Sequence, residues 1–319
     1  MTYYSNSNAP IFHSKVLLFG EYSLILNSMG LALPYPLFQG KLVLKHITDS
    51  SRRIDQSNRE LKAFCDYMKL RKRQQALSFD FDIHSMEFDV AQGLYFQSNI
   101  PQGFGVGSSG ALTAALYDRY VYDKVVHNGC PTNDEIVCLK KIFSEMESHF
   151  HGSSSGVDPL ICYLNLPLLI RSKTQIEAVQ LPTPATTCGG IFLLNTGRPR
   201  KTEPLVNLFL EKMQNPEFAE LCAHELIPYN ENCIHYFLTG QIEQLMQELA
   251  KLSAFQLRHL TPMIPPLFRQ IWQFGLDSGL YYLKLCGAGG GGFILGFTQD
   301  FGTARMHLED YQSRIAYRL

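Results

Sequence analysis

Five of the six residues from Gly287 to Gly292 are glycine, and the run lies between two apolar stretches, residues 281–285 and 293–295. Glycine loses more conformational freedom on folding than any other residue, so keeping such a run ordered is costly. A fold that does so presses the backbone against a ligand or another segment. A second cluster, Gly103, Gly105, Gly107 and Gly110 in PQGFGVGSSG (101–110), leads into apolar residues at helical spacing. Glycines let an anion approach backbone amides closely. The first turn of the following helix adds unpaired N–H groups and a positive dipole end. Ser108 and Ser109 can cap that helix, bind phosphate oxygens or ligate magnesium. The stretch reads as a phosphate cradle.

Two other cradles do not fit. The chain has no G-x-x-x-x-G-K-[ST], which excludes a P-loop enzyme. Residues 105–110 match G-x-G-x-x-G, but a dinucleotide fold also needs an acid at a strand end about 20 residues on. Residues 130–133 supply none, and Asp134 opens a helical pattern. Strand-like and helix-like stretches otherwise alternate, which predicts an α/β or α+β chain. Strands are expected at 15–19, 42–46, 191–195 and 293–297, with an alternating stretch that turns at 79–83. Helices are expected at 58–73, 111–125, 133–147, 241–257 and 266–275. The Pro-, Thr- and Gly-rich segment 181–190 marks the expected domain boundary, near residue 185.

Lys and Arg number 28 and Asp and Glu 29, so there is no electrostatic footprint for nucleic acid. The basic run 69–73 closes an amphipathic stretch and reads as a solvated helix end. The most apolar window, 161–170, is short and holds Asn165 and Pro167, too little to span a bilayer. No secretory signal is read at the start. Eight scattered cysteines without a C-x-x-C pair predict reduced thiols in a cytoplasmic protein. His149 and His151 have no zinc-ligand set around them.

Glu147 is expected to close a helix, and Asp158 follows a glycine–serine loop (HGSSSGVD, 151–158). Two acids so placed can converge on one pocket. Magnesium takes carboxylate, hydroxyl and phosphate oxygens, a partial shell that Glu147 and Ser109 supply. The stretch KVLLFGEY (15–22) places Lys15 at the start of an apolar strand and Glu21 at its exit.

Together these stretches resemble the GHMP kinases, and within them the mevalonate kinase branch. KVLLFGEY (15–22), GFGVGSSGA (103–111) and KLCGAGGGGF (284–293) resemble the family's three motifs in order. HGSSSGVD (151–158) and NTGRPRKT (195–202) resemble stretches typical of the mevalonate kinase branch. The resemblance implies an α/β (α+β) two-domain fold. Its N-terminal α/β domain, here 1–185, has a left-handed β-α-β crossover, and its C-terminal domain, here 186–319, is ferredoxin-like. It implies ATP and Mg2+ as cofactors and a small-molecule alcohol as substrate, meeting between the domains. Gly103, Gly105, Gly107, Ser108, Ser109 and Gly110 would wrap the ATP phosphates. Ser109 and Glu147 would hold magnesium. Asp158 would lie beside the substrate hydroxyl and Lys15 beside Asp158. Glu21, Tyr22, Ser155 and Thr202 would lie near the substrate, and Gly287, Ala288, Gly289 and Gly290 would close the pocket. Relatives often form homodimers, although nothing in the sequence marks an interface.

The chain departs from the family pattern at Tyr22, where mevalonate kinases mostly have histidine, and at Cys286, where threonine or serine is frequent. Gly110–Ala111 replaces an alanine pair, and YLNLPL (163–168) replaces a region that often has paired glycines. These changes bear on the substrate more than on the chemistry. The expected reaction is phosphorylation of mevalonate. A phosphomevalonate kinase is the first alternative, with Arg198, Arg200 and Lys201 as cations for the extra phosphate, and a sugar kinase the second. A non-catalytic nucleotide-binding regulator is the reading from another class; such proteins commonly lose the acid or the lysine, and both are present here.

Overall fold

The computed structural model describes residues 9–45, 51–125, 129, 131–183, 188–200 and 202–319. In chain order the elements are β1 (Phe12–Phe19), β2 (Gly30–Leu44), α1 (Arg52–Arg73), α2 (Ile83–Ala91), β3 (Leu94–Ser98), α3 (Ser108–Tyr120), α4 (Asn133–His151) and α5 (Val157–Leu164). There follow β4 (Leu168–Ile170), β5 (Ile176–Ala178), β6 (Gly190–Asn195), α6 (Thr202–Lys212), α7 (Pro216–Leu221), α8 (Ile227–Leu238) and α9 (Ile242–His259). The chain ends with α10 (Arg269–Ser278), β7 (Tyr282–Leu285), β8 (Phe293–Thr298), α11 (Phe301–Met306) and β9 (Ser313–Arg318).

Two compact units interleave along the chain. The first holds residues up to Lys15, Pro34–Pro101 and Gly107–Leu166; the second holds Val16–Leu33, Gln102–Val106 and Pro167–Leu319. β1 and β2 each begin in one unit and end in the other. The strand order of the first sheet is β1-β2-β4-β5, with β3 also on β2.

In the first unit β3 pairs antiparallel with the end of β2, from Gly40 opposite Ser98 to Leu44 opposite Leu94. Helices α1 to α5 supply its core, with Phe64, Met68, Leu116, Tyr117, Phe143 and Leu160 buried. Tyr117, Phe143 and Tyr163 form one aromatic cluster, which gives the YLNLPL departure a packing role. The second unit carries β4 on the start of β2 and an antiparallel sheet in the order β7-β8-β6-β9. Along the chain that sheet runs strand, helices, two strands, helix, strand, which is the ferredoxin-like pattern.

Several elements differ from expectation. The residues before Asn58 are helical, because the Ser51 hydroxyl caps α1 by accepting from the Ile54 N–H. The 79–83 stretch forms no strand: Phe81 makes one bridge to Val121 and Asp82 caps α2. That same bridge ends α3 at Tyr120, short of residue 125. α4 continues one turn past Glu147 to His151 and stops at Gly152. Residues 266–268 form a short 3-10 turn before α10. His46, Cys130, Lys201 and residues 184–187 of the expected boundary lie outside the described residues. Among the described residues, no helix is long and apolar enough to cross a membrane.

Candidate active site

In the first unit the start of α3 meets the start of α5. Gly107 caps α3 with φ 80°, a left-handed conformation that glycine adopts without strain. The first intrahelical bond runs from Ala111 N–H to Gly107 C=O. The amides of Ser108, Ser109 and Gly110 therefore have no partner within the helix. A Cβ on Gly110 would stand 2.9 Å from the Asp158 carbonyl carbon and 3.0 Å from the Pro159 nitrogen. Only a residue without a side chain lets α5 approach this closely, and the approach brings Asp158 beside Ser109 and Gly110.

Asp158 lies in the first turn of α5. Lys15, buried on β1, places its ammonium 2.8 Å from Asp158 Oδ1, and the Asp158 side chain keeps 39% of its exposure. The pair is thus a partly open carboxylate held by a shielded cation. Ser109 Oγ donates to Glu147 Oε1 at 3.0 Å, and Ser154 Oγ donates to Glu147 Oε2 at 2.5 Å. The His151 ring nitrogen Nε2 lies 2.9 Å from Ser109 Oγ. Glu147 is buried, and its carboxyl is pushed up to about 7 chiefly by loss of solvent, with the Asp158 charge adding to it.

The donor set around Glu147 is made of carboxylate and hydroxyl oxygens, the ligands a hard cation takes. A cation also relieves a buried carboxylate. These residues fit magnesium. Among the described residues no group of three or more His, Cys, Asp or Glu could hold a metal, so phosphate oxygens and water would complete the shell. His149 instead packs against Phe64, Tyr67 and Phe150.

The second unit holds the other expected residues. Glu21 and Lys284 form a buried ion pair at 2.6 Å, and Glu21 Oε1 accepts the Gly287 N–H at 3.2 Å. The Tyr22 hydroxyl donates to Ala288 C=O at 2.6 Å. Gly103 C=O accepts the Arg200 N–H at 2.9 Å. The Arg200 guanidinium donates to Cys286 C=O and lies against Gly105 and Gly287. Gly289 and Gly290 pack on Met263 and Leu205. The Cys286 side chain is fully buried.

Lys15, Gly107, Ser108, Ser109, Gly110, Glu147 and Asp158 thus come together in one unit. Ser155 is exposed two residues before Val157, whose N–H its hydroxyl accepts at 3.4 Å. Thr202 opens α6, and its side chain lies outside the described residues. Sequence reasoning missed Ser154, His151 as a partner of Ser109, and Lys284. Lys284 had a signal: a charge inside an apolar strand needs a buried partner.

Comparison with known proteins bears on the family and the fold. The model of the GHMP kinase N-terminal domain matches residues 68–165, and that of the GHMP kinase C-terminal domain matches residues 233–306. No curated protein matches by sequence. L. major mevalonate kinase, solved with R-mevalonate, superposes with a TM-score of 0.66 at 16% identity, over 94% of this chain and 90% of that one. Streptococcus pneumoniae phosphomevalonate kinase, solved with phosphomevalonate and AMPPNP, gives 0.59 at 15% identity over 97% and 98%. Lactococcus lactis galactokinase, solved with galactose, gives 0.57 at 12% identity over 97% and 93%. Two family models and a shared fold over nearly the whole length lead to one assignment: the chain belongs to the GHMP kinase family.

Proposed function

We propose that this protein transfers the γ-phosphoryl group of ATP to the hydroxyl of mevalonate, giving 5-phosphomevalonate and ADP. The observation that carries the reading is the Lys15–Asp158 pair, 2.8 Å apart, at the start of α5 and beside the start of α3. The amides of Ser108, Ser109 and Gly110, with the loop from Gly103 to Gly107, would cradle the phosphates. Ser109 and Glu147 would hold magnesium, which when bound neutralises phosphate charge. Ser155 and Thr202 are proposed on the substrate side. We retain the division into domains 1–185 and 186–319.

In the transfer the acceptor oxygen bonds to the γ-phosphorus and the bond to the bridging oxygen of ADP breaks. The hydroxyl proton leaves late if the transition state is loose. Any carboxylate is a weak base toward an alcohol, and a late proton transfer suits that chemistry. Asp158 then orients the hydroxyl and receives its proton, while Lys15 stabilises the charge that develops.

Tyr22, at a place where tyrosine is more common in phosphomevalonate kinases, gives that activity its standing as runner-up. The cation it requires would be Arg200, whose guanidinium keeps its charge and further N–H donors beyond the bond to Cys286 C=O. The test is ADP release from Mg-ATP with mevalonate, phosphomevalonate, diphosphomevalonate or small sugars offered singly. Turnover with mevalonate alone is expected, and D158A and K15A should each lower kcat by about 10²–10⁴-fold. Turnover with another acceptor instead overturns the substrate, and rates near wild type in either variant overturn that residue's role.

A further inference from the structure

The proposed chemistry makes no use of one heavily restrained stretch of backbone in the second unit. From Leu285, the last residue of β7, to Ala288, successive peptide groups are held by side chains. Gln256 Oε1 accepts the Leu285 N–H at 2.8 Å. Lys284 Nζ donates to Leu285 C=O at 2.7 Å, and Arg200 donates to Cys286 C=O. Glu21 accepts the Gly287 N–H at 3.2 Å, and Tyr22 donates to Ala288 C=O at 2.6 Å.

Two of these side chains come from a strained segment. Tyr22 has φ 63° and ψ −37°, and the Ser23 N–H donates to Glu21 C=O at 2.7 Å. An i to i+2 bond across a residue with positive φ is the rare, strained form of the γ-turn. A non-glycine residue stays in such a turn only where its surroundings hold it there. Here the hold consists of the Glu21–Lys284 ion pair, the Tyr22 hydroxyl bond and the Tyr22 ring on Phe209, 4.6 Å between centroids.

We propose that Glu21, Tyr22 and Lys284 are positioning residues that fix the backbone of the third glycine run before nucleotide arrives, acting through residues 285–288 rather than on the alcohol. The inference rests on the kinase reading above for its functional half. Its logic is entropic: a run of glycines already held in one conformation loses little freedom when a phosphate binds against it. The polar atoms that would otherwise contact the alcohol are in use: Glu21 Oε1 and the Tyr22 hydroxyl face partners in the run, and Glu21 Oε2 faces Lys284 on β7.

The test pairs hydrogen exchange with kinetics in Y22F and in the double variant E21M/K284M. The double variant removes both charges, so neither is left buried alone. Exchange at the amides of residues 285–290 is expected to quicken about tenfold or more in each variant, with β6 and β8 unchanged. The KM for ATP should rise about tenfold, while the KM for the alcohol stays at the wild-type value. Unchanged exchange in the run overturns the inference, as does faster exchange with an unaltered KM for ATP. A rise confined to the KM for the alcohol also overturns it, by making these residues substrate contacts. If the wild-type protein binds no Mg-ATP, the kinase reading fails on its own, and the exchange data still decide whether these side chains hold the run.

Discussion

Glu147 shows how one side chain can be read through pH. It is 3% exposed, and its carboxyl rises from 4.5 to about 7 mainly because burial disfavours the charged form. The folded protein then binds a proton more tightly than the unfolded chain does. Such a group contributes stability fully below the unfolded value, and that contribution is lost as pH rises through the folded one. The interval corresponds to about 3 kcal/mol. E147Q cannot titrate there, so wild type should lose about that much stability relative to E147Q between pH 4.5 and about 7. Urea unfolding at a series of pH values, in buffer free of divalent cations, measures this. Parallel curves for the two proteins would show that the carboxyl is solvated in the folded state.

At the scale of elements, the site depends on two helix starts packed without a side chain between them. G110A would set a methyl 2.9–3.1 Å from Asp158 and Pro159, two of the three atoms being backbone. Overpacking of this kind costs about 1–3 kcal/mol, and the better helix propensity of alanine returns at most about 1 kcal/mol. We expect a net loss of up to about 2 kcal/mol in urea unfolding, with a fall in kcat because α5 carries Asp158 away. A G110A protein with both quantities unchanged would mean that the two helices have room to separate. The glycine was legible in the sequence as part of the phosphate cradle and as a departure from an alanine pair; its packing reason lies in a contact 48 residues away in the chain, Gly110 against Asp158. The helices themselves were mostly legible, because α3, α4 and α9 repeat apolar residues at helical spacing. β2 was not. Pro34, Pro36 and Gly40 punctuate it, and only its end at residues 42–44 was expected as strand. It survives because β4 pairs with Gly30–Ala32 and β3 with Gly40–Leu44, so both prolines fall between ladders where a missing N–H breaks no bond on that edge. The Lys15–Asp158 pairing came only through the family resemblance, since no local pattern joins residues 143 positions apart. The γ-turn at Tyr22 had no local signal either, because tyrosine is a residue that rarely takes positive φ.

For the whole molecule the cysteines are built-in reporters. Cys138 and Cys188 are exposed, whereas Cys65, Cys162, Cys222, Cys233 and Cys286 are buried. Cys162 lies in the first unit under the Gly107 carbonyl and Cys233 in the second. Burial raises the pKa of both thiols, which keeps them unreactive while folded. β1 and β2 each contribute to both units. Losing the fold of one unit therefore removes part of each strand, which is continuous along the chain with the part in the other. That connectivity favours one cooperative transition, although a chain of this size can unfold domain by domain. In a maleimide labelling series with increasing urea, read by peptide mass spectrometry, Cys138 and Cys188 should label at once. Cys162 and Cys233 should then become reactive together at one urea concentration. If Cys233 labels while Cys162 stays protected, the shared strands do not couple the units, and each folds on the strength of its own core.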